Sequence, residues 1–165
     1  NKDKALDEKN VKKVEEENIK SPITGTILPL NKCPDEVFAS GKMGHGFIIE
    51  PAEGKVFAPC DGVVKDLFQT LHALGIESDK GAELLLHIGM NTVDLNSVGY
   101  TAHVKKGDKI KEGDLLIEFD IPYIQSQNMS VVTPVIVTND KEYSMLMLKA
   151  MGSVKHGDTV ISLQV

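Results

Sequence analysis

The chain has no tryptophan and no arginine; all 18 of its basic residues are lysine. Without guanidinium forks the favoured donor for a nucleic-acid backbone is missing, and a formal net charge of -6 opposes such a partner further. Cysteine is scarce as well. Cys33 and Cys60 are too few and too widely spaced for a disulfide framework or a thiolate zinc site, so both are expected to be reduced and structural. No apolar run approaches the roughly 20 residues that span a bilayer, and the amino terminus is too charged for the hydrophobic segment of a secretory signal. These absences point to a cytoplasmic protein without membrane insertion, whose acidic surface suits basic protein partners.

What remains is enough for one domain: 165 residues, 41% hydrophobic. Residues 1–20 alternate lysines with Asp3, Asp7, Glu8 and the run Glu15-Glu16-Glu17, leaving few apolar side chains to bury, and read as a charged tail or linker. The domain itself is expected over 21–165. The chain opens on Asn1 rather than methionine, as a piece of a longer polypeptide would.

From Ser21 onward, short β-branched runs alternate with glycine, proline and aspartate: 23–28, 46–49, 55–58, 62–67, 84–88, 115–119 and 131–138. Strands of this length between turn signals predict an all-β antiparallel sandwich or barrel with one or two short helices. One late helix is expected, with Asn139 as its cap, Glu142 three residues on, then Tyr143, Met145, Leu146 and Leu148, and a stop at Gly152. Two short echoes, Ser21-Pro22-Ile23-Thr24-Gly25 against Ala58-Pro59-Cys60-Asp61-Gly62 and Val104-Lys105-Lys106-Gly107-Asp108 against Val154-Lys155-His156-Gly157-Asp158, read as turns feeding strands.

His87 closes the apolar run Leu84-Leu85-Leu86 just before Ile88-Gly89. His72 lies upstream in Leu71-His72-Ala73-Leu74-Gly75, and the polar stretch Glu77-Ser78-Asp79-Lys80-Gly81 between them reads as a turn that lays the two imidazoles side by side. A histidine in a strand ordinarily does no more than satisfy hydrogen bonds. Here both sit beside small residues, Ala73, Gly75 and Gly89, that let another molecule approach closely, and the joint pattern favours chemistry. A neutral imidazole has a lone pair able to attack phosphorus, which suits His87, while a neighbouring N–H can support the phosphoryl oxygens, which suits His72. Thr70, two residues before His72 on an extended segment, is placed to hold its tautomer. The same two histidines are the one pair that could ligate zinc, yet they fall short of a catalytic zinc set, so a metal would have to be shared with a partner. His45, His103 and His156 sit in turn segments and read as solvated surface residues.

With those residues in hand the chain closely resembles the glucose-type enzyme IIA domain of the bacterial phosphoenolpyruvate-dependent sugar phosphotransferase system. The resemblance covers about residues 21–165 and rests on Phe57-Ala58-Pro59-Cys60-Asp61-Gly62, His72-Ala73-Leu74-Gly75-Ile76-Glu77-Ser78, Leu86-His87-Ile88-Gly89-Met90-Asn91-Thr92-Val93 and Val104-Lys105-Lys106-Gly107-Asp108, in that order. It implies a β-sandwich phosphocarrier in which His87 takes a phosphoryl group from phospho-HPr and passes it to a cysteine of the IIB domain of a glucose-class permease. His72 becomes the second active-site histidine, with Thr70 as its hydrogen-bonding neighbour, and no cofactor is required.

The resemblance further implies a shallow apolar docking face, whose matching positions are Val37, Phe38, Met43, Phe68, Leu74 and Leu85. A broad, mostly uncharged patch suits successive transient partners. Asn91 stands where the enteric pattern has aspartate, and Met43 and Leu85 replace other apolar side chains, so partner selectivity is expected to differ. Some members also regulate permeases or kinases, at times through a zinc bridging both histidines and a partner carboxylate. Two other readings are a lysostaphin-like zinc hydrolase, which lacks a third ligand and any His-X-His here, and a biotinyl or lipoyl carrier, which lacks a suitable hairpin-tip lysine.

Overall fold

The computed structural model describes residues 14–165. An eight-stranded sheet runs edge to edge through β13 (Gly152–Val154), β2 (Gly25–Pro29), β3 (His45–Pro51), β11 (Thr133–Val137), β7 (Glu83–His87), β6 (Ala73–Ser78), β5 (Gly62–Leu67) and β9 (Lys109–Ile110). Two three-stranded sheets complete the β framework: β1 (Glu17–Lys20), β14 (Thr159–Gln164) and β12 (Met145–Leu148), and β4 (Lys55–Phe57), β10 (Leu115–Phe119) and β8 (Tyr100–Ala102). All pairings are antiparallel, as the β-sandwich expectation requires. The strands read at 62–67 and 115–119 have those same bounds.

Alternation along each strand sorts side chains between two apolar clusters. Phe47 and Ile49 of β3, Val135 and Val137 of β11, and Leu84 and Leu86 of β7 enter the main core, together with Leu116 and Ile117 of β10 and Ile161 and Leu163 of β14. Ile48 and Ile136 point the other way, into a smaller cluster with Leu30, Cys33, Phe38 and Met90. The centre of the large sheet is thus buried on both faces, which explains its near-continuous apolar runs. Residues 30–44 form the outer cover and include α1 (Glu36–Ala39), whose first turn is capped by Asp35 accepting from the Val37 N–H at 2.9 Å. A second short helix, α2 (Ile121–Ser126), is capped in the same way by Asp120 on the Tyr123 N–H. Cys33 and Cys60 are free buried thiols.

Two expectations need correction. The late helix does not form: Asp140–Glu142 make a single 3-10 turn, and Met145–Leu148 pair with β14 instead. Asn139 is spent elsewhere, accepting from the Glu83 N–H at 2.9 Å and donating to the Gly81 carbonyl at 2.9 Å, so it buttresses the β6–β7 turn. The charged tail also ends earlier than residue 20, because Glu17–Lys20 pair with β14 and fully bury Ile19. Residues 1–13 of that tail lie outside the described residues.

β6 and β7 form a hairpin whose tip carries Asp79 and Lys80, and β6 extends to Ser78, two residues into the stretch read as a turn. At this tip the Glu15 N–H donates to the Lys80 carbonyl at 3.0 Å as the chain enters β1. His72 and His87 stand at the opposite end of the hairpin.

Candidate functional site

Register alone brings the two histidines together. Ala73 is the cross-strand partner of His87, and the Ile88 N–H donates to the His72 carbonyl at 2.6 Å, so the residue just before β6 is tied to the end of β7. The imidazole centroids lie 4.9 Å apart with planes at 83°, edge to face. Each ring has an aromatic neighbour: Phe38 stands 5.2 Å from His87, and Phe68 stands 5.6 Å from His72.

Each imidazole is fixed by one short contact at Nδ1. His87 Nδ1 lies 2.8 Å from the Gly89 carbonyl, which can only accept, so this nitrogen carries the proton and the neutral ring keeps its lone pair on Nε2. Gly89 makes that contact through a left-handed backbone (φ +87°), and an added Cβ would stand 2.6 Å from Thr92 Cγ2 and 2.9 Å from the Ser130 carbonyl oxygen. Backbone geometry, rather than room for an incoming molecule, therefore requires this glycine. His72 Nδ1 lies 2.6 Å from Thr70 Oγ1. When the hydroxyl donates to Nδ1, His72 carries its proton on Nε2 and can donate there.

Thr70 reaches His72 by a turn and not by strand alternation. The Phe68 N–H donates to the Ala73 carbonyl at 3.1 Å, the Leu71 N–H returns to the Phe68 carbonyl at 2.8 Å, and Leu71 is left-handed at φ 61°. This β5–β6 loop supplies Phe68, Thr70 and His72 within five residues. Burial disfavours the imidazolium of His72 and, with the neighbouring His87 adding to the effect, lowers its pKa to about 4. Burial also lowers that of His87, against the opposing influence of the Gly89 carbonyl and the Asp35 carboxylate. Both rings are held neutral near pH 7, so each offers one N–H donor and one bare ring nitrogen.

The anticipated rim divides into three parts. Met43, Phe68 and Leu85 line one open depression of about 350 Å³, together with Asp66 and Gly75. Val37 is exposed on α1, and Asn91 is exposed in a left-handed conformation two residues beyond Gly89. Phe38 is buried, contributing its ring to His87 from within the smaller cluster. Leu74 is a correction: it is wholly buried in the main core, because Ala73, Gly75 and Glu77 take the outer positions of β6. Sequence reading missed Asp35, whose carboxylate acts on His87 and which could have been found as a cap before Glu36.

The other histidines are engaged at the surface: His45 with Asp140 at 2.5 Å, His103 with Glu118 at 2.9 Å, and His156 stacked 3.8 Å from Phe57. Among the described residues no group of three or more His, Cys, Asp or Glu could hold a metal ion. The His72 and His87 nitrogens would provide two ligands, and any zinc there would need the rest from another molecule. No helix among the described residues is long and apolar enough to cross a membrane.

Residues 17–143 match the family described as phosphoenolpyruvate-dependent sugar phosphotransferase system, EIIA 1. The chain is 49% identical over 149 residues to a PTS system beta-glucoside-specific EIIBCA component of Halalkalibacterium halodurans, covering 90% of this chain and 23% of that protein. It thus spans about a quarter of that relative's length. A PTS system glucose-specific EIIA component of the same organism is 43% identical over 145 residues, covering 88% of this chain and 84% of the relative. The solved glucose permease IIA from Mycoplasma capricolum superposes with a TM-score of 0.81 at 34% identity, over 90% of this chain and 96% of that one. The chain belongs to the glucose-type EIIA family, the phosphotransferase components of the phosphoenolpyruvate-dependent sugar phosphotransferase system.

Proposed function

We propose that His87 is the phosphoacceptor of a cytoplasmic carrier that takes a phosphoryl group from phospho-HPr and delivers it to a cysteine of the IIB domain of a glucose-class permease. The observation that carries this reading is the paired imidazoles, centroids 4.9 Å apart, with His87 Nδ1 tied to the Gly89 carbonyl so that Nε2 is the nucleophilic atom. In the first transfer the Nε2 lone pair forms the new N–P bond as the donor's P–N bond breaks, and the departing imidazole keeps that electron pair. In the second, the IIB thiolate attacks phosphorus and the pair returns to His87 Nε2. Throughout, Nδ1–H stays on the Gly89 carbonyl, and this contact strengthens as the phosphorylated ring becomes electron-poor.

His72 assists by donating from Nε2 to the phosphoryl oxygens, with Thr70 Oγ1 holding Nδ1. Val37, Met43, Phe68, Leu85 and Asn91 form the docking face, where apolar contact excludes water from the labile phosphohistidine. Support for the IIB partner comes from the beta-glucoside relatives, whose EIIBCA names place B and A components in one protein. A zinc held by His72, His87 and a partner carboxylate would cement a regulatory complex with a permease or kinase; phosphoryl transfer needs none.

Incubation with phosphoenolpyruvate, enzyme I and HPr should add one acid-labile, base-stable phosphoryl group per chain, and His87→Ala should abolish it. Labelling that survives the substitution would refute the assignment. His72→Gln should still accept from HPr yet pass the group poorly to IIB, because support for the moving phosphoryl matters more when the acceptor is a thiolate.

A further inference from the structure

Gly89 permits the turn that brings its carbonyl to His87 Nδ1, but a glycine takes φ of either sign with similar ease and does not by itself select +87°. Neighbouring groups make that selection. The Ile88–Gly89 peptide is held by two buried hydroxyls, since Thr92 Oγ1 and the Tyr100 phenol each donate to the Ile88 carbonyl at 2.7 Å. A carbonyl only accepts, so both hydroxyl protons are committed to it. The next peptide, Gly89–Met90, is held by the Met90 N–H on the Ser130 carbonyl at 2.9 Å, and its own oxygen is the acceptor of His87 Nδ1–H.

A threonine hydroxyl bonded four residues back along the chain is a local event. Tyr100 is not local: it arrives on β8, paired with Phe119 of β10 and stacked against that ring at 6.4 Å, and reaches the peptide beside the phosphoacceptor from there. Burial pushes its pKa up to about 12, so the phenol keeps its proton and remains a donor throughout the neutral range.

We infer that Tyr100 is a positioning residue for phosphoryl transfer: with Thr92 it fixes the Ile88–Gly89 peptide, keeps the Gly89 carbonyl on His87 Nδ1 and so confines the nucleophilic lone pair to Nε2. This rests on the proposed phosphotransfer function. If the Gly89 carbonyl swings away, the neutral ring is free to carry its proton on Nε2, and no N–P bond can then form there. Transfer itself leaves the contact intact. Nε2 supplies the electron pair of the new N–P bond, the donor imidazole leaves with the pair of the broken one, and the Nδ1 proton does not move. The two hydroxyls bond backbone rather than ring, so they set the population of the reactive tautomer and not the affinity for the donor.

Nitrogen-resolved NMR of the His87 tautomer near pH 7, together with initial rates of its phosphorylation against phospho-HPr concentration, tests the proposal. Wild type should show the Nδ1–H tautomer alone. Tyr100→Phe keeps the ring and its stack but should admit the Nε2–H tautomer, lowering kcat about fivefold with KM within about twofold, the effect of one hydrogen bond. Thr92→Val should act in the same direction, Thr92→Ser should behave as wild type, and kcat should fall in proportion to the Nδ1–H population. A hydroxyl that merely satisfied a buried carbonyl would lower the urea midpoint and leave His87 as it was; an unchanged tautomer in Tyr100→Phe, or a loss confined to KM, would therefore overturn the positioning role. Wild type that holds the Nδ1–H tautomer yet accepts nothing from phospho-HPr would instead bring down the phosphotransfer reading.

Discussion

His72 should make the protein's stability depend on pH in a specific window. The residue is 3% exposed, and its pKa is lowered to about 4 from the ordinary 6.5. Between those values the unfolded chain binds a proton that the folded chain refuses, so unfolding becomes easier as pH falls; the stability is fully present above about 6.5 and lost progressively towards 4. With those two pKa values, lowering pH from 7.5 to 5 costs about 2 kcal/mol and to pH 4 about 3 kcal/mol, at 1.36 kcal/mol per pKa unit. Urea unfolding of wild type and His72→Gln across this range isolates the effect, since carboxylate contributions are common to both. The wild-type curve should drop relative to the variant by about 2 kcal/mol at pH 5. Parallel curves would show that the folded protein admits a charged His72, and the argument for a neutral donor at rest would fail.

Thr70→Val removes the hydroxyl that orients His72 and should slow transfer to IIB by about tenfold, the worth of one hydrogen bond, while Thr70→Ser restores it; equal rates for all three would deny Thr70 a positioning role. Gly89→Ala forces a left-handed alanine against Thr92 and the Ser130 carbonyl, and should destabilise by about 1–3 kcal/mol in urea unfolding while also impairing phosphoryl acceptance; an unchanged midpoint would refute the backbone requirement.

Much of this was legible from local pattern. Leu84-Leu85-Leu86-His87 reads as a strand because its central position buries Leu84 and Leu86 against the main core and leaves Leu85 and His87 outward. What was illegible depends on distant partners. Asn139 with Glu142 imitates a capping box, yet Asn139 is engaged by the β6–β7 turn and the following residues satisfy their backbone on β14, so sheet pairing overrides the local helix signal. Glu17–Lys20 looks solvated by composition, but the single side chain of Ile19, entirely buried, and pairing with the last strand suffice to hold it. The Thr70–His72 contact depends on the left-handed Leu71, a conformation that no leucine advertises. Leu74 could have been assigned inward by period-two parity once Gly75 and Glu77 are taken as outward.

The antiparallel course of β6 and β7 has a further consequence. The polypeptide joins β1 beside the hairpin tip, at Glu15 and Lys80, while the imidazoles occupy the far pole, about 17 Å away at 3.3–3.4 Å per residue over five residues of strand. The backbone that enters the fold at β1 therefore does not cross the end of the hairpin where the rings stand, and that end is left free for successive visitors to meet face on.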